Sequence, residues 1–155
     1  MIEGKLNFSW LVAGEVAGHG APISINDLKY LKSNGIKALV RMAEGHKVQV
    51  TPVDIKNLAF TDCYVPVPDF TAPRQYQLNK MVAFISKSVA QGKPVGVSCG
   101  EGIGRTGTVL ACYLVSKGHM SEQAMEEVKQ KRGTDIETED QKQAVRRYAE
   151  LLGKQ

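Results

Sequence analysis

The stretch VGVSCGEGIGRTGT, from Val95 to Thr108, constrains this chain more than any other. Pro94 breaks what precedes it, and Val95 to Ser98 reads as a short buried strand. Gly100, Gly102 and Gly104 punctuate a tight loop, and from Thr106 an apolar run, VLACYLV over 109–115, reads as a helix buried on most of its sides. Cys99 therefore stands where a strand ends and Arg105 where a helix begins, with five residues between them. The first N–H groups of a helix lack internal partners and lie at the positive end of its dipole. A loop entering such a helix can turn its backbone N–H groups around an anion. Glycines permit the backbone angles that such a cradle needs. A thiol at its rim sits in a positive field that favours the nucleophilic thiolate. Arg105 adds a guanidinium fork able to hold two phosphoryl oxygens and to stabilise charge in a transition state. The residues from Gly100 through Glu101, Gly102, Ile103 and Gly104 to Arg105 are thus expected to bind a phosphate-sized group above a nucleophile.

Cys-x5-Arg followed by Thr, between a strand and a helix, resembles the signature loop of the cysteine-dependent protein tyrosine phosphatases. The chain is most similar to the small single-domain atypical dual-specificity phosphatases and their archaeal relatives. The resemblance runs from Val65-Pro66-Val67-Pro68-Asp69-Phe70 through Ile136-Glu137-Thr138; before residue 60 it lies mainly in the order of elements. It implies a two-step hydrolysis of phosphomonoesters through a cysteinyl-phosphate, with neither metal nor cofactor. Cys99 is then the nucleophile, and Arg105 and the loop N–H groups hold the phosphoryl oxygens. Asp69, thirty positions before Cys99, protonates the leaving oxygen and later deprotonates the attacking water. Thr106 donates a hydrogen bond to the departing sulfur. Glu137, with Gln141 second, places that water, against the plainer reading that acidic residues simply suit a helix N-terminus. One position departs from the family pattern: Ser98 stands where the family usually has a His that orders the loop, so less thiolate is expected at Cys99 than is usual there.

The rest of the chain is consistent with this and narrows it. Its 155 residues are expected to form one catalytic domain over 1–155, with 43% hydrophobic and 23% charged residues as in globular proteins. No apolar run approaches the roughly 20 residues of a membrane span. The start, MIEGK, lacks the basic and apolar regions of a signal peptide, so a cytoplasmic location is expected. The net charge of +4 suits anionic substrates but is too small and dispersed to argue nucleic-acid binding. The expected partners are phosphorylated proteins or peptides, with no nucleic acid and no membrane, and the chain is expected to act as a monomer. Cys63, Cys99 and Cys112 have no metal-ligand spacing. Cys63 and Cys112 read as buried hydrophobes, the alternative for Cys63 being a thiol that resolves oxidised Cys99.

In order, residues 7–12 read as a first strand, with a second begun over 12–17 and a loop over 18–22 in which His19 is exposed. Ser24 caps a helix carrying Leu28 and Leu31 and ending at Asn34 and Gly35. Residues 36–40 read as a strand, 44–58 as a loop plus a short helix, and 60–65 as another strand. Arg41 is expected in a surface salt bridge. Three prolines within 66–73 make a stiff loop around Asp69. Phe70 beside it either lines the pocket, stacking on an aryl phosphate, or packs in the core. Helices follow from 75 to 91, from 121 to 131 or 132, and in a last segment led by 136–141 with Val145, Tyr148, Leu151 and Leu152 as its buried stripe. The alternation predicts an α/β fold, a central, mostly parallel sheet of four or five strands flanked by helices on both faces.

The activity this implies is a protein phosphatase acting on phosphotyrosine and on phosphoserine or phosphothreonine, because the chain is too short for the extra loops that deepen a strictly phosphotyrosine-specific pocket. Glu101 in the loop argues, by sign of charge, against multiply charged head groups. Other readings are a phosphate-binding pseudophosphatase with little turnover, a phosphatase of a non-protein phosphomonoester, and a rhodanese-like sulfur transferase. The last leaves Asp69 and the Arg105-Thr106 pair without a task.

Overall fold

The structure, a computed structural model, describes residues 5–45 and 49–153. Residues 46–48 of the expected 44–58 loop, and Met1 to Gly4 of the expected leaderless start, lie outside the described residues. Five strands form one sheet in the order β1-β2-β5-β3-β4: β1 Ser9–Val12, β2 Val16–Gly20, β3 Ala38–Arg41, β4 Thr61–Tyr64 and β5 Val95–Cys99. Only β1 and β2 are antiparallel; β2 and β3 both run parallel to β5, and β4 parallel to β3. The strand that ends in Cys99, β5, thus lies at the centre, where the chain crosses over it between β2 and β3.

Two apolar clusters sandwich the sheet. On one face Val95, Val97, Val40 and Cys63 pack against four helices: α3 Gln75–Ala90, α4 Gly104–Ser116, α5 Ser121–Arg132 and α6 Glu139–Leu151. On the other, Ala17 and Leu39 pack against Leu28 and Leu31 of α1 Ile25–Ser33 and Ile55 of α2 Pro52–Asn57. Alternation along β5 divides the faces, since successive strand side chains point to opposite sides. The expected cap forms at α1, where Ser24 accepts from Asp27 N, and at α2 Thr51 makes a reciprocal pair with Asp54. No helix among the described residues is long and apolar enough to cross a membrane.

The structure corrects three expectations. β2 runs to Gly20, so Gly18-His19-Gly20 is strand and not loop, and His19 is fully buried. Its imidazole lies where a side chain on Gly96 of the next strand would stand, so a glycine diagonally across the strand pair makes the room. The last helix buries Gln141, Ala144, Val145, Tyr148 and Ala149, whereas Leu151 and Leu152 are exposed because the chain there has run past the sheet-facing cluster. Arg41 is more buried than a surface pair. It grips Asp62 with two bonds of 2.8 Å and stacks its guanidinium 4.6 Å from the Tyr64 ring centre.

Candidate active site

Every sequence-derived candidate converges on one end of the sheet, at the carboxyl ends of the parallel strands. β5 delivers Cys99, which is buried, and the chain turns at once into α4, whose first residues are Gly104 and Arg105. Thr106 Oγ1 donates to Cys99 Sγ at 3.0 Å. A small pocket above the sulfur is lined by Asp69, Phe70, Cys99, Glu101, Ile103, Gly104, Arg105 and Glu137.

The loop's shape follows from close contact. Gly102 adopts φ +80°, and a Cβ there would collide with the backbone of His19 and Gly20, so both conformation and space require glycine. Three successive carbonyls are tied to elements outside the loop. Gly100 O accepts from Ala21 N (3.2 Å), Glu101 O from Asn7 Nδ2 (3.1 Å), and Gly102 O from Arg132 Nη1.

Arg105 is buried, and its fork is partly engaged. Nη1 donates to Val67 O at 2.6 Å and Nη2 lies 3.2 Å from Asp69 Oδ1, while Nε, fully buried, has no hydrogen-bond partner. Asp69 is 47% exposed at its side chain, on the loop that leaves β4. That loop is held by bonds within itself: Thr71 N and Oγ1 both donate to Pro68 O (3.2 and 2.5 Å), and Phe70 N to Asp69 Oδ1 (2.9 Å). Phe70 sits at the pocket rim with φ +61°, 62% exposed, which resolves the choice between rim and core in favour of the rim.

Glu137, from the segment before α6, and Gln141, from its first turn, both reach the loop. A side chain on Gly104 would stand against Glu137 Oε1 and Gln141 Oε1. Glu137 lines the pocket, whereas Gln141 is fully buried with its amide committed: Oε1 accepts from Glu137 N and Thr138 N, and Nε2 donates to Thr71 O, each at 3.1 Å. Gln141 thus ties the segment carrying Glu137 to the loop carrying Asp69.

Three neighbours escaped sequence reasoning. Arg132, the last residue of α5, is buried behind the loop; burial lowers its pKa to about 10, against an opposing attraction from Cys99, so it stays cationic at neutral pH. His19 has its pKa lowered by burial to about 4, with the Arg132 charge adding to the effect, and is neutral at pH 7; its Nδ1 bonds Gly20 O at 2.7 Å. Asn7 lies in a short 3-10 turn, Lys5–Asn7, with φ +51°. An Arg ending a helix reads as a dipole partner, and nothing in its local pattern marks it as buried. Ser98, facing away from the sulfur on β5, donates to Val40 O across a long 3.4 Å. Cys63 lies on β4 with β3 between it and β5, so about 10 Å separates the two strands, beyond disulfide reach without backbone movement. Burial raises the pKa of both Cys63 and Cys112, in keeping with buried hydrophobes.

A family model described as "Tc-R-P: Polymorphic toxin system, DSP-PTPase phosphatase" matches residues 15–119. Among curated proteins, the chain is 41% identical over 73 residues to protein tyrosine phosphatase domain-containing protein 1 of Danio rerio, covering 46% of this chain and 10% of that protein. It is 27% identical over 100 residues to the phosphatidylglycerophosphate phosphatase PTPMT1 of Arabidopsis thaliana, covering 64% of this chain and 30% of that one. The chain therefore spans well under half the length of either relative. Among solved structures, Tk-PTP in its active form superposes with a TM-score of 0.86 at 28% identity, covering 97% of this chain and 99% of that one.

Proposed function

The chain belongs to the Tc-R-P family of DSP-PTPase phosphatases, and from that premise we propose that it is a protein phosphatase acting on phosphotyrosine and on phosphoserine or phosphothreonine through a cysteinyl-phosphate. The observation that carries this reading is the meeting of Cys99, Thr106, Arg105 and Asp69 around one small pocket.

In the first step Cys99 thiolate attacks phosphorus. The S–P bond forms, the P–O bond to the leaving group breaks, and the proton of Asp69 goes to the departing oxygen. Arg105 and the loop N–H groups hold the remaining phosphoryl oxygens as charge builds on them. In the second step water attacks phosphorus, the P–S bond breaks, and the proton of the water passes to Asp69. The Thr106 hydroxyl, 3.0 Å from the sulfur, stabilises the returning thiolate. Glu137, at the pocket wall beside Gly104, places the water, while Gln141 positions Glu137 through its backbone. The exposed rim made by Asp69 and Phe70 supports dual specificity, since a low wall admits a short phosphoserine as well as an aryl phosphate.

The likeness to a phosphatidylglycerophosphate phosphatase favours a second reading, a non-protein phosphomonoester. Both are tested by single- and multiple-turnover hydrolysis, in EDTA, of p-nitrophenyl phosphate, phosphotyrosine and phosphothreonine peptides, and phosphatidylglycerophosphate in vesicles. Turnover of peptides that Cys99→Ser abolishes supports the protein reading. Turnover confined to the lipid replaces it with the second, and phosphopeptide binding without turnover replaces both with a phosphate reader.

A further inference from the structure

Arg132 closes α5 and is only 8% exposed, yet its guanidinium meets three neutral oxygens. Nε donates to Ser9 Oγ (2.9 Å), Nη2 to Asn7 O (2.9 Å) and Nη1 to Gly102 O. No carboxylate among the described residues is ion-paired with it. Burying a guanidinium against neutral acceptors alone is costly, because its hydration is lost and no opposite charge compensates. The room for it is also built in: a Cβ on Gly18 would stand 2.6 Å from Arg132 Cζ.

The three carbonyl anchors explain what this expense achieves. In a trans peptide the C=O of one residue and the N–H of the next point in opposite directions across the same plane, and no cis peptide occurs among the described residues. Holding the carbonyls of Gly100, Glu101 and Gly102 outward therefore turns the N–H groups of Glu101, Gly102 and Ile103 towards the pocket. Two of the anchors, Ala21 N and the Asn7 amide, are neutral. Arg132 is the charged one, and it braces a second as well, because it also binds the Asn7 carbonyl.

We propose that Arg132 is a positioning residue for the anion cradle, fixing the Gly102 peptide so that its N–H side faces the phosphoryl group and lending the Cys99 thiolate a buried positive charge from behind. It thereby supplies order and charge to a loop in which Ser98 offers only one long hydrogen bond. The proposal rests on the phosphatase reading only in taking the bound anion to be a phosphoryl group.

The test compares wild type with Arg132→Met, Arg132→Lys, Gly18→Ala and, as a stability control on the same helix, Val128→Ala. Tungstate affinity is measured by calorimetry in a Cys99→Ser background, and the rate of Cys99 alkylation by iodoacetamide at pH 6.5 with Cys99 present. Arg132→Met is expected to weaken tungstate binding about tenfold or more, the scale of one charge-assisted hydrogen bond, and to slow alkylation. Arg132→Lys keeps the charge without the fork, so it should spare alkylation more than binding. Gly18→Ala should weaken tungstate by displacing the guanidinium while its charge remains, and Val128→Ala should lower the melting temperature and move neither readout. Tungstate affinity and alkylation within about twofold of wild type in Arg132→Met would overturn the proposal, as would equal shifts in Val128→Ala. If Arg132→Met does not fold, Arg132→Lys and Gly18→Ala decide it. Neither readout needs turnover, so failure of the phosphatase reading and failure of this proposal are told apart.

Discussion

Two loops bring the reactive groups together, and they are built on opposite principles. The loop from Cys99 to Arg105 is fastened from outside, its carbonyls held by Ala21, Asn7 and Arg132 and its glycines pressed on β2 and on the segment before α6. The loop from Pro66 to Pro73 is fastened from outside only on either side of its tip, Val67 by Met42 O and Arg105 and Thr71 by Gln141. The tip that carries Asp69 is held by Thr71 on Pro68 and Phe70 on Asp69, and it meets the first loop through Arg105. The difference matches the tasks proposed for them. An oxyanion cradle stabilises a transition state only if its donors need no rearrangement, whereas an acid that must lose and regain a proton works best beside solvent, on a segment free to adjust.

If that division is right, damage to the fastened loop should be the more severe. Cys99→Ser is expected to abolish turnover, by about 10⁴-fold or more, and Arg105→Lys to cost about 10²–10³-fold in kcat, read from steady-state kinetics. Asp69→Asn should cost about 10²-fold on phosphotyrosine peptide. The loss should be smaller on p-nitrophenyl phosphate, whose leaving group departs without a proton. Equal losses on both would show that Asp69 acts on Arg105 and not on the leaving oxygen.

The next effect is on stability. Folded His19 takes a proton only near pH 4, while the unfolded imidazole takes one near 6.5. The unfolded state thus binds more protons in between, so this contribution is complete above pH 6.5 and is lost as pH falls towards 4. It amounts to roughly 3 kcal/mol in all. Urea unfolding from pH 7 to 4 should show His19→Gln losing less stability than wild type over that window; parallel curves would count against it. The smallest effect is at the rim. Phe70→Gly relieves a positive φ and removes the ring, so the melting temperature should hold while KM for aryl phosphates rises by about threefold, with phosphothreonine peptide little changed.

The contrast between the loops also explains what could be read in the sequence. Contiguous patterns were legible: the Ser24 cap, the apolar spacing of α3, and the strand–loop–helix run that places Cys99 and Arg105 all have local causes. The end of β2 was not, because Gly18-His19-Gly20 carries turn composition and becomes strand by pairing with Val97, Ser98 and Cys99 of β5. Arg132 and Asn7 were invisible for the same reason, since what makes them important is an oxygen 30 or 94 residues away. Glu137 and Gln141 were both singled out, but their division of labour depends on which amide atoms are already occupied, and sequence does not carry that.

The anchors of the signature loop also set when reactivity can arise during synthesis. Asn7, Ala21 and Arg132 come from the start, the first quarter and the far end of the chain, and the last of them is made after the loop itself. As a chain emerges from the ribosome N-terminus first, Cys99 emerges while Arg132 is still to follow. If Arg132 supports Cys99 as proposed, that support arrives only once α5 has docked. Alkylation of Cys99 during refolding would report the arrival of that helix.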